Sequence, residues 1–176
     1  MTWDIVHRGR KIQVAVDRAA APDGQTIQRD VVLHPGAVAI LPLLDADHVV
    51  LLRNHRFILN EVLWEIPAGT LEPGEDPLET ARRELAEETG YRAGKLEKLC
   101  EFYMSPGILR ERMHLFLATQ LMAGKDSREP GEEIENLAVP WSEAIGMVES
   151  GTIRDAKTLA GLLYYDRFRR ESPSAG

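Results

Sequence analysis

The chain has 176 residues, 44% of them hydrophobic and 28% charged, with a formal net charge of −7, which describes one globular domain or one domain with a small appendage. The acidic balance argues against a nucleic-acid partner, which calls for a basic face; no stretch approaches the roughly 18 apolar residues of a membrane span, and the first residues, MTWDIVHRGRK, lack the apolar core of a secretory signal. Cys100 is the only cysteine, so no intrachain disulfide can form and a reducing, cytoplasmic setting is expected.

Asp4 to His7 and Ile12 to Asp17 read as strands around the turn Arg8-Gly9-Arg10-Lys11. Thr26 to Leu33 is a third strand after the polar loop Ala21 to Gln25. Residues 1–34 are therefore expected to form a small antiparallel sheet, with His34-Pro35-Gly36 as the boundary to a main domain over 35–170. Ala37 to Leu44 is a nearly continuous apolar run, the pattern of a strand buried on both faces. Further strands are expected at His48 to Arg53, Glu61 to Ile66, Leu96 to Tyr103, Met113 to Leu121 and Leu137 to Trp141. A first helix runs from Pro77 to Thr89: Asp76 is its N-cap, Glu79 completes a capping-box spacing, Pro77 takes the first helical position and Gly90 stops it. A second helix follows a Ser142 cap and ends near Gly151, and a third follows Asp155 and reaches about Arg170. Residues 171–176 read as a disordered tail. Mixed strands flanked by helices make an α/β sandwich.

On the first helix Glu84, Glu87 and Glu88 fall at i, i+3 and i+4, within an arc of about 100°. Each like-charged helical pair costs roughly 0.2–0.5 kcal/mol. Arg83 can meet Glu87, but one arginine cannot neutralise three glutamates. A divalent cation can, and Mg²⁺ or Mn²⁺ prefers hard oxygen ligands and shares them with phosphates. Such an ion would also let an acidic protein hold an anionic diphosphate. The alternative is a solvated charged face. The five histidines, His7, His34, His48, His55 and His114, are scattered without ligand spacing and are read as surface or packing residues.

The stretch Gly69 to Tyr91 resembles the Nudix box, Gly-x5-Glu-x7-Arg-Glu-U-x2-Glu-Glu-x-Gly-U, where U is bulky and apolar. Gly69, Glu75, Arg83, Glu84, Leu85, Glu87, Glu88 and Gly90 match, and Tyr91 departs from the aliphatic usual at the last place. The resemblance spans about Pro35 to Arg170 and implies the Nudix α/β/α sandwich with a mixed sheet. It implies Glu84, Glu87 and Glu88 as metal ligands with the Ala68 carbonyl, Arg83 as the orienter of a glutamate, and structural roles for Gly69, Glu75 and Gly90.

Other segments are similar to the ADP-ribose pyrophosphatase subfamily. Glu65-Ile66-Pro67-Ala68-Gly69 leads into the box, and Ser105-Pro106-Gly107 is followed by Glu111 and by His114-Leu115-Phe116-Leu117-Ala118. Pro106 stands fifteen residues beyond the box. The N-terminal sheet fits as well, and in that group it helps form a homodimer that shares its active sites. This resemblance implies Mg²⁺-dependent hydrolysis of ADP-ribose to AMP and ribose 5-phosphate. The alternatives are another NDP-sugar or dinucleotide pyrophosphatase, or a non-catalytic ADP-ribose-binding sensor. Arg56, beside the box, suits a phosphate clamp because a guanidinium fork matches phosphate oxygens; the competing reading is a surface salt bridge. Arg29 is placed to reach the ligand across a dimer, and Gly107 lies with the substrate. Trp64 is read as core packing rather than an adenine platform; Trp3 and Phe57 are the other stacking candidates. The general base is sought among loop carboxylates: Glu111, Glu132 or Glu133, the last two following Glu129-Pro130-Gly131. A box glutamate is a third option.

Overall fold

The computed structural model describes residues 3–124 and 134–170. Glu132, Glu133 and the tail 171–176 lie outside the described residues.

β1 (Asp4–Arg8), β2 (Gln13–Ala20) and β3 (Thr26–Leu33) form an antiparallel meander. Its fourth strand comes from far along the chain: β9 (Leu109–Arg110) pairs parallel to β3, with Val32 opposite Leu109. No local pattern announces a two-residue strand, so β9 was invisible in the sequence. It ties the N-terminal sheet to the segment that carries Glu111.

A second sheet has the order β7-β4-β10-β8. β4 (Ala37–Pro42) runs parallel to β10 (Arg112–Ala123) and antiparallel to the short β7 (Ala68–Thr70), and β8 (Tyr91–Tyr103) closes the other side. Every residue of β4 is buried, and the alternation of its side chains explains why. Val38 and Ile40 face α1 (Pro77–Thr89) together with Phe116, Ala118, Ala81 and Leu85. Ala37, Ala39 and Leu41 face the opposite cluster, with Leu115, Ile66, Trp141 and Leu162. The third sheet, β11-β5-β6, is antiparallel: β5 (His48–Arg56), β6 (Glu61–Glu65) and β11 (Ile134–Pro140). With α2 (Trp141–Glu149) and α3 (Ala156–Phe168) it covers the face away from α1. The result is an α/β sandwich with a mixed central sheet.

The caps of α1 are those read from the sequence. Asp76 accepts from the Leu78 amide at 2.8 Å, Pro77 opens the helix, and Gly90 closes it at φ 74, a left-handed conformation that glycine adopts without penalty. Glu79 turns instead toward Arg82, 3.5 Å away. The second helix differs at its start. Ser142 is inside α2, the cap position is Pro140, and no side chain caps it; the Trp141 amide donates to the Asp47 carbonyl at 2.7 Å, so a tertiary partner does the work of a cap. α3 is capped by Asp155, which accepts from the Thr158 amide at 3.0 Å. β8 begins at Tyr91, directly after α1, and β11 at Ile134, both earlier than their hydrophobic patterns suggest. Long antiparallel pairing with β10 and β5 extends them through polar residues.

Candidate active site

The loop before α1, the helix itself and the ends of three strands enclose a cleft of about 990 Å³. Its walls include Ala68 and Gly69 of β7, Glu84, Glu87 and Glu88 of α1, Arg56 at the end of β5, and Glu111 between β9 and β10. Asp155 and Lys157 reach it from α3, and Arg10, Lys11 and Gln13 from the N-terminal hairpin. The size suits a small-molecule ligand.

Arg83 organises the acidic wall. Its Nε and Nη2 donate to the two oxygens of Glu75, both at 3.1 Å. Its Nη1 donates to Glu84 at 2.8 Å and to Glu87 at 2.9 Å. Glu75 also accepts from the Glu72 amide at 3.1 Å, which pins the preceding loop to the helix. The Arg83 hydrogen bonds hold the Glu75 carboxyl down at about 2, against an ordinary 4.5, and the same carboxylates raise the Arg83 guanidinium. Glu88, only 6% exposed, accepts from the Ala68 amide at 3.0 Å. Glu84 lies so close to the backbone of β7 that a Cβ added to Gly69 would stand 1.9 Å from its carboxyl carbon. Only glycine leaves that cradle open.

As the side chains stand, no three His, Cys, Asp or Glu among the described residues come together closely enough to hold an ion. The reason is visible: Arg83 draws Glu84 and Glu87 to itself, and an amide takes Glu88. The donor set nevertheless fits a hard divalent cation. Three carboxylates line one wall of one cleft, one of them in a glycine cradle against β7, and all supply oxygen. Glu84, Glu87, Glu88 and the Ala68 carbonyl are the groups that would hold it.

Also in the cleft lining, Arg56 donates to the two oxygens of Glu65, from Nε at 2.6 Å and from Nη2 at 2.5 Å. Glu65 is 1% exposed and also accepts from Lys157 at 2.6 Å. The bond to Glu65 raises the Arg56 guanidinium, with smaller help from the charges of Glu88 and Asp155. Arg56 thus makes an ion pair and lines the cleft at once, combining both sequence readings. Glu111 sits with His34, whose Nδ1 is 3.8 Å from its carboxylate and accepts from the Gly36 amide at 3.1 Å.

Several expected site residues are elsewhere. Arg29 is exposed on β3, opposite Asp17, and is not part of the cleft wall. Gly107 lies in the turn before β9, also outside the wall, with nothing within 4 Å of the space a Cβ would take. Trp64 packs on the core, as read from the sequence, with the Arg53 guanidinium 5.9 Å above its ring. Trp3 lines a separate depression with Asp4, Val16 and Arg18. Of the three aromatic candidates only Phe57 borders the cleft. Reading the sequence missed Glu65, Asp155, Lys157, Arg10 and Lys11. Asp155 was visible only as the residue that the third helix follows, and nothing local said that Lys157 would meet a strand some 90 positions earlier, as the Lys157–Glu65 bond does.

Residues 33–162 match the NUDIX domain family. The chain belongs to the Nudix family. Enzymes of the Nudix type generally use divalent metals, in keeping with this acidic wall. The chain is 41% identical over 161 residues to an ADP-ribose pyrophosphatase of Bacillus subtilis (strain 168), covering 90% of this chain and 87% of that protein. It is 37% identical to the methanol dehydrogenase activator of Bacillus methanolicus, with coverage of 90% and 87%. Among solved structures, a crystal structure of an ADP compounds hydrolase shares the Nudix fold at a TM-score of 0.81 and 25% identity, covering 94% of this chain and 90% of that one.

Two outcomes follow from the acidic wall. Gly69→Ala should push Glu84 out of its cradle and weaken Mn²⁺ binding by about tenfold or more in titration calorimetry; unchanged affinity would remove Glu84 from the ligand set. The Glu75 carboxyl titrates near 2 when folded and near 4.5 otherwise, so its stabilising contribution is complete above 4.5 and fades as the pH falls toward 2. Thermal melts should therefore show the wild type more stable than Glu75→Gln at neutral pH, with the difference shrinking across that window. A constant difference would deny the Arg83 pairing its role.

Proposed function

We propose that this chain hydrolyses the pyrophosphate of ADP-ribose, releasing AMP and ribose 5-phosphate, with Mg²⁺ as the supporting ion and Mn²⁺ as a substitute. The observation that carries the reading is the convergence of Glu84, Glu87, Glu88, Glu111 and Arg56 on one cleft of about 990 Å³. The ADP-ribose pyrophosphatase of Bacillus subtilis, 41% identical over nearly the whole chain, directs it to this substrate.

Glu84, Glu87, Glu88 and the Ala68 carbonyl would hold a divalent ion, which when bound would supply charge neutralisation for the diphosphate and acidity to a nearby water. The chain's own residues do the rest. Arg56, which lines the same cleft, meets the diphosphate as a fork of N–H donors. Glu111 stands in the cleft with 18% of its side chain exposed, placed to take a proton from the attacking water. Arg83 spaces Glu84 and Glu87 and does not touch substrate. Phe57, at the rim and 81% exposed, offers a face for the adenine to stack on.

Residues 1–34 act in this reading as a dimerisation appendage. The hairpin between β5 and β6 presents three consecutive apolar residues, Phe57, Ile58 and Leu59, at 81%, 81% and 57% exposure, the kind of surface that suits a protein partner. A homodimer covers it and gives Arg29 a second protomer to reach. Among the described residues no helix is long and apolar enough to cross a membrane, and the reduced cytoplasm is the setting proposed.

Chromatography of reactions with Mg²⁺ should show AMP forming from ADP-ribose faster than nucleotide from GDP-mannose, NADH or diadenosine compounds. Glu88→Gln should lower kcat roughly 10²-fold or more. Tight ADP-ribose binding with no AMP under Mg²⁺ or Mn²⁺ would make the chain a sensor instead, and a faster competitor substrate would reassign it within the pyrophosphatases. Sedimentation equilibrium should give twice the 19.7 kDa chain mass, and Ile58→Asp should return it to one; a monomeric wild type would sink the dimer.

A further inference from the structure

Two cations meet one buried carboxylate beside the cleft. Glu65 has 2% of its side chain exposed. Its Oε1 accepts from Arg56 Nε, and its Oε2 accepts from both Arg56 Nη2 at 2.5 Å and Lys157 Nζ at 2.6 Å. Lys157 continues the chain to Asp155, whose Oδ1 it meets at 2.9 Å. The second oxygen of Asp155 is committed to the α3 cap, accepting from the Thr158 amide and hydroxyl. Thr158 Oγ1 in turn accepts from the Ile66 amide at 2.9 Å, next to Glu65. The charges of the four groups cancel. Their exposures do not match: 2%, 9% and 14% for the side chains of Glu65, Lys157 and Asp155, against 44% for Arg56. Arg56, Lys157 and Asp155 all border the cleft, and Arg56 is the most exposed of them.

We propose that Lys157 is a positioning residue for the reaction: it neutralises Glu65, so that Glu65 can fix the direction of Arg56 without consuming its charge. The inference rests on the reading of Arg56 as the group that meets the diphosphate. An uncompensated buried carboxylate is costly and recruits whatever cation is near. Without Lys157, Glu65 and Asp155 face Arg56 alone, and the wall toward the substrate carries a net negative charge. Arg56 is then held inward as a counter-ion and offers less to a diphosphate. The loss is in binding shared by ground and transition states, which raises KM and spares kcat.

The test is steady-state hydrolysis of ADP-ribose with Mg²⁺ by the full chain. Lys157→Met should raise KM about tenfold and leave kcat within about threefold. In a Glu65→Gln background, where the buried anion is gone, the same substitution should change KM less than about twofold. If Lys157→Met fails to fold, Lys157→Gln, which keeps a donor but no charge, carries the same expectation. An unchanged KM, or the same factor in both backgrounds, overturns the proposal. Arg56→Ala separates the two layers: an unchanged KM there refutes the clamp reading itself, whereas a raised KM with no effect of Lys157→Met refutes only the role of Lys157.

Discussion

Three carboxylates on little more than one turn of α1 repel one another, and much of the surrounding structure consists of the groups that hold them in place. Arg83 reaches Glu75, Glu84 and Glu87 from a single guanidinium. The Ala68 amide takes Glu88, and the missing side chain of Gly69 makes room for Glu84. The partners come from two elements, Arg83 from the helix itself and Ala68 and Gly69 from β7, while Glu75 in the preceding loop fixes Arg83. The spacing of the box is thus a mechanical requirement, in which the loop must return over the helix at the height of its glutamates. Arg83 also supplies positive charge where a metal ion would, which explains why the acidic wall is tolerable before any ion arrives.

Around Glu65 the arrangement is reversed. There the buried group is an anion, Glu65, and cations surround it. A protein of net charge −7 thus assembles a cleft lined by guanidinium and ammonium groups as well as carboxylates. Global charge and local charge part company because the fold gathers Arg56, Lys157, and the adjacent Arg10 and Lys11, from three distant segments onto one cleft. An anionic ligand is met by this local field, not by the average one.

How far the site could be read in advance depended on sequence distance. The caps Asp76 and Gly90 and the position of the box glutamates were legible because they are decided within a few residues by helical geometry. The doubly buried strand β4 was legible because burial on both faces removes polar residues outright. Ser142 misled because the start of α2 is satisfied by the Asp47 carbonyl, far away in the chain, and not by a neighbour. β7 and β9 were missed because strands of three and two residues carry no period; their partners define them. Arg56 was legible as a basic residue beside the box, but its bond to Glu65 needed the β5–β6 hairpin to bring residues nine apart together.

Alone, the sequence determined the local chemistry: an acidic helix with its caps, a glycine-led loop before it, and a family whose members act on phosphoanhydrides. Short-range sterics and spacing suffice for that, because each feature lies within one or two turns of chain. Only the tertiary structure decided which charges face one another. It placed Arg29 and Gly107 outside the cleft wall and Glu111 within it, and it joined α3 to Glu65 through Lys157. Such pairings depend on long-range strand registry and on which face of a sheet a helix covers, and no window of sequence contains both partners.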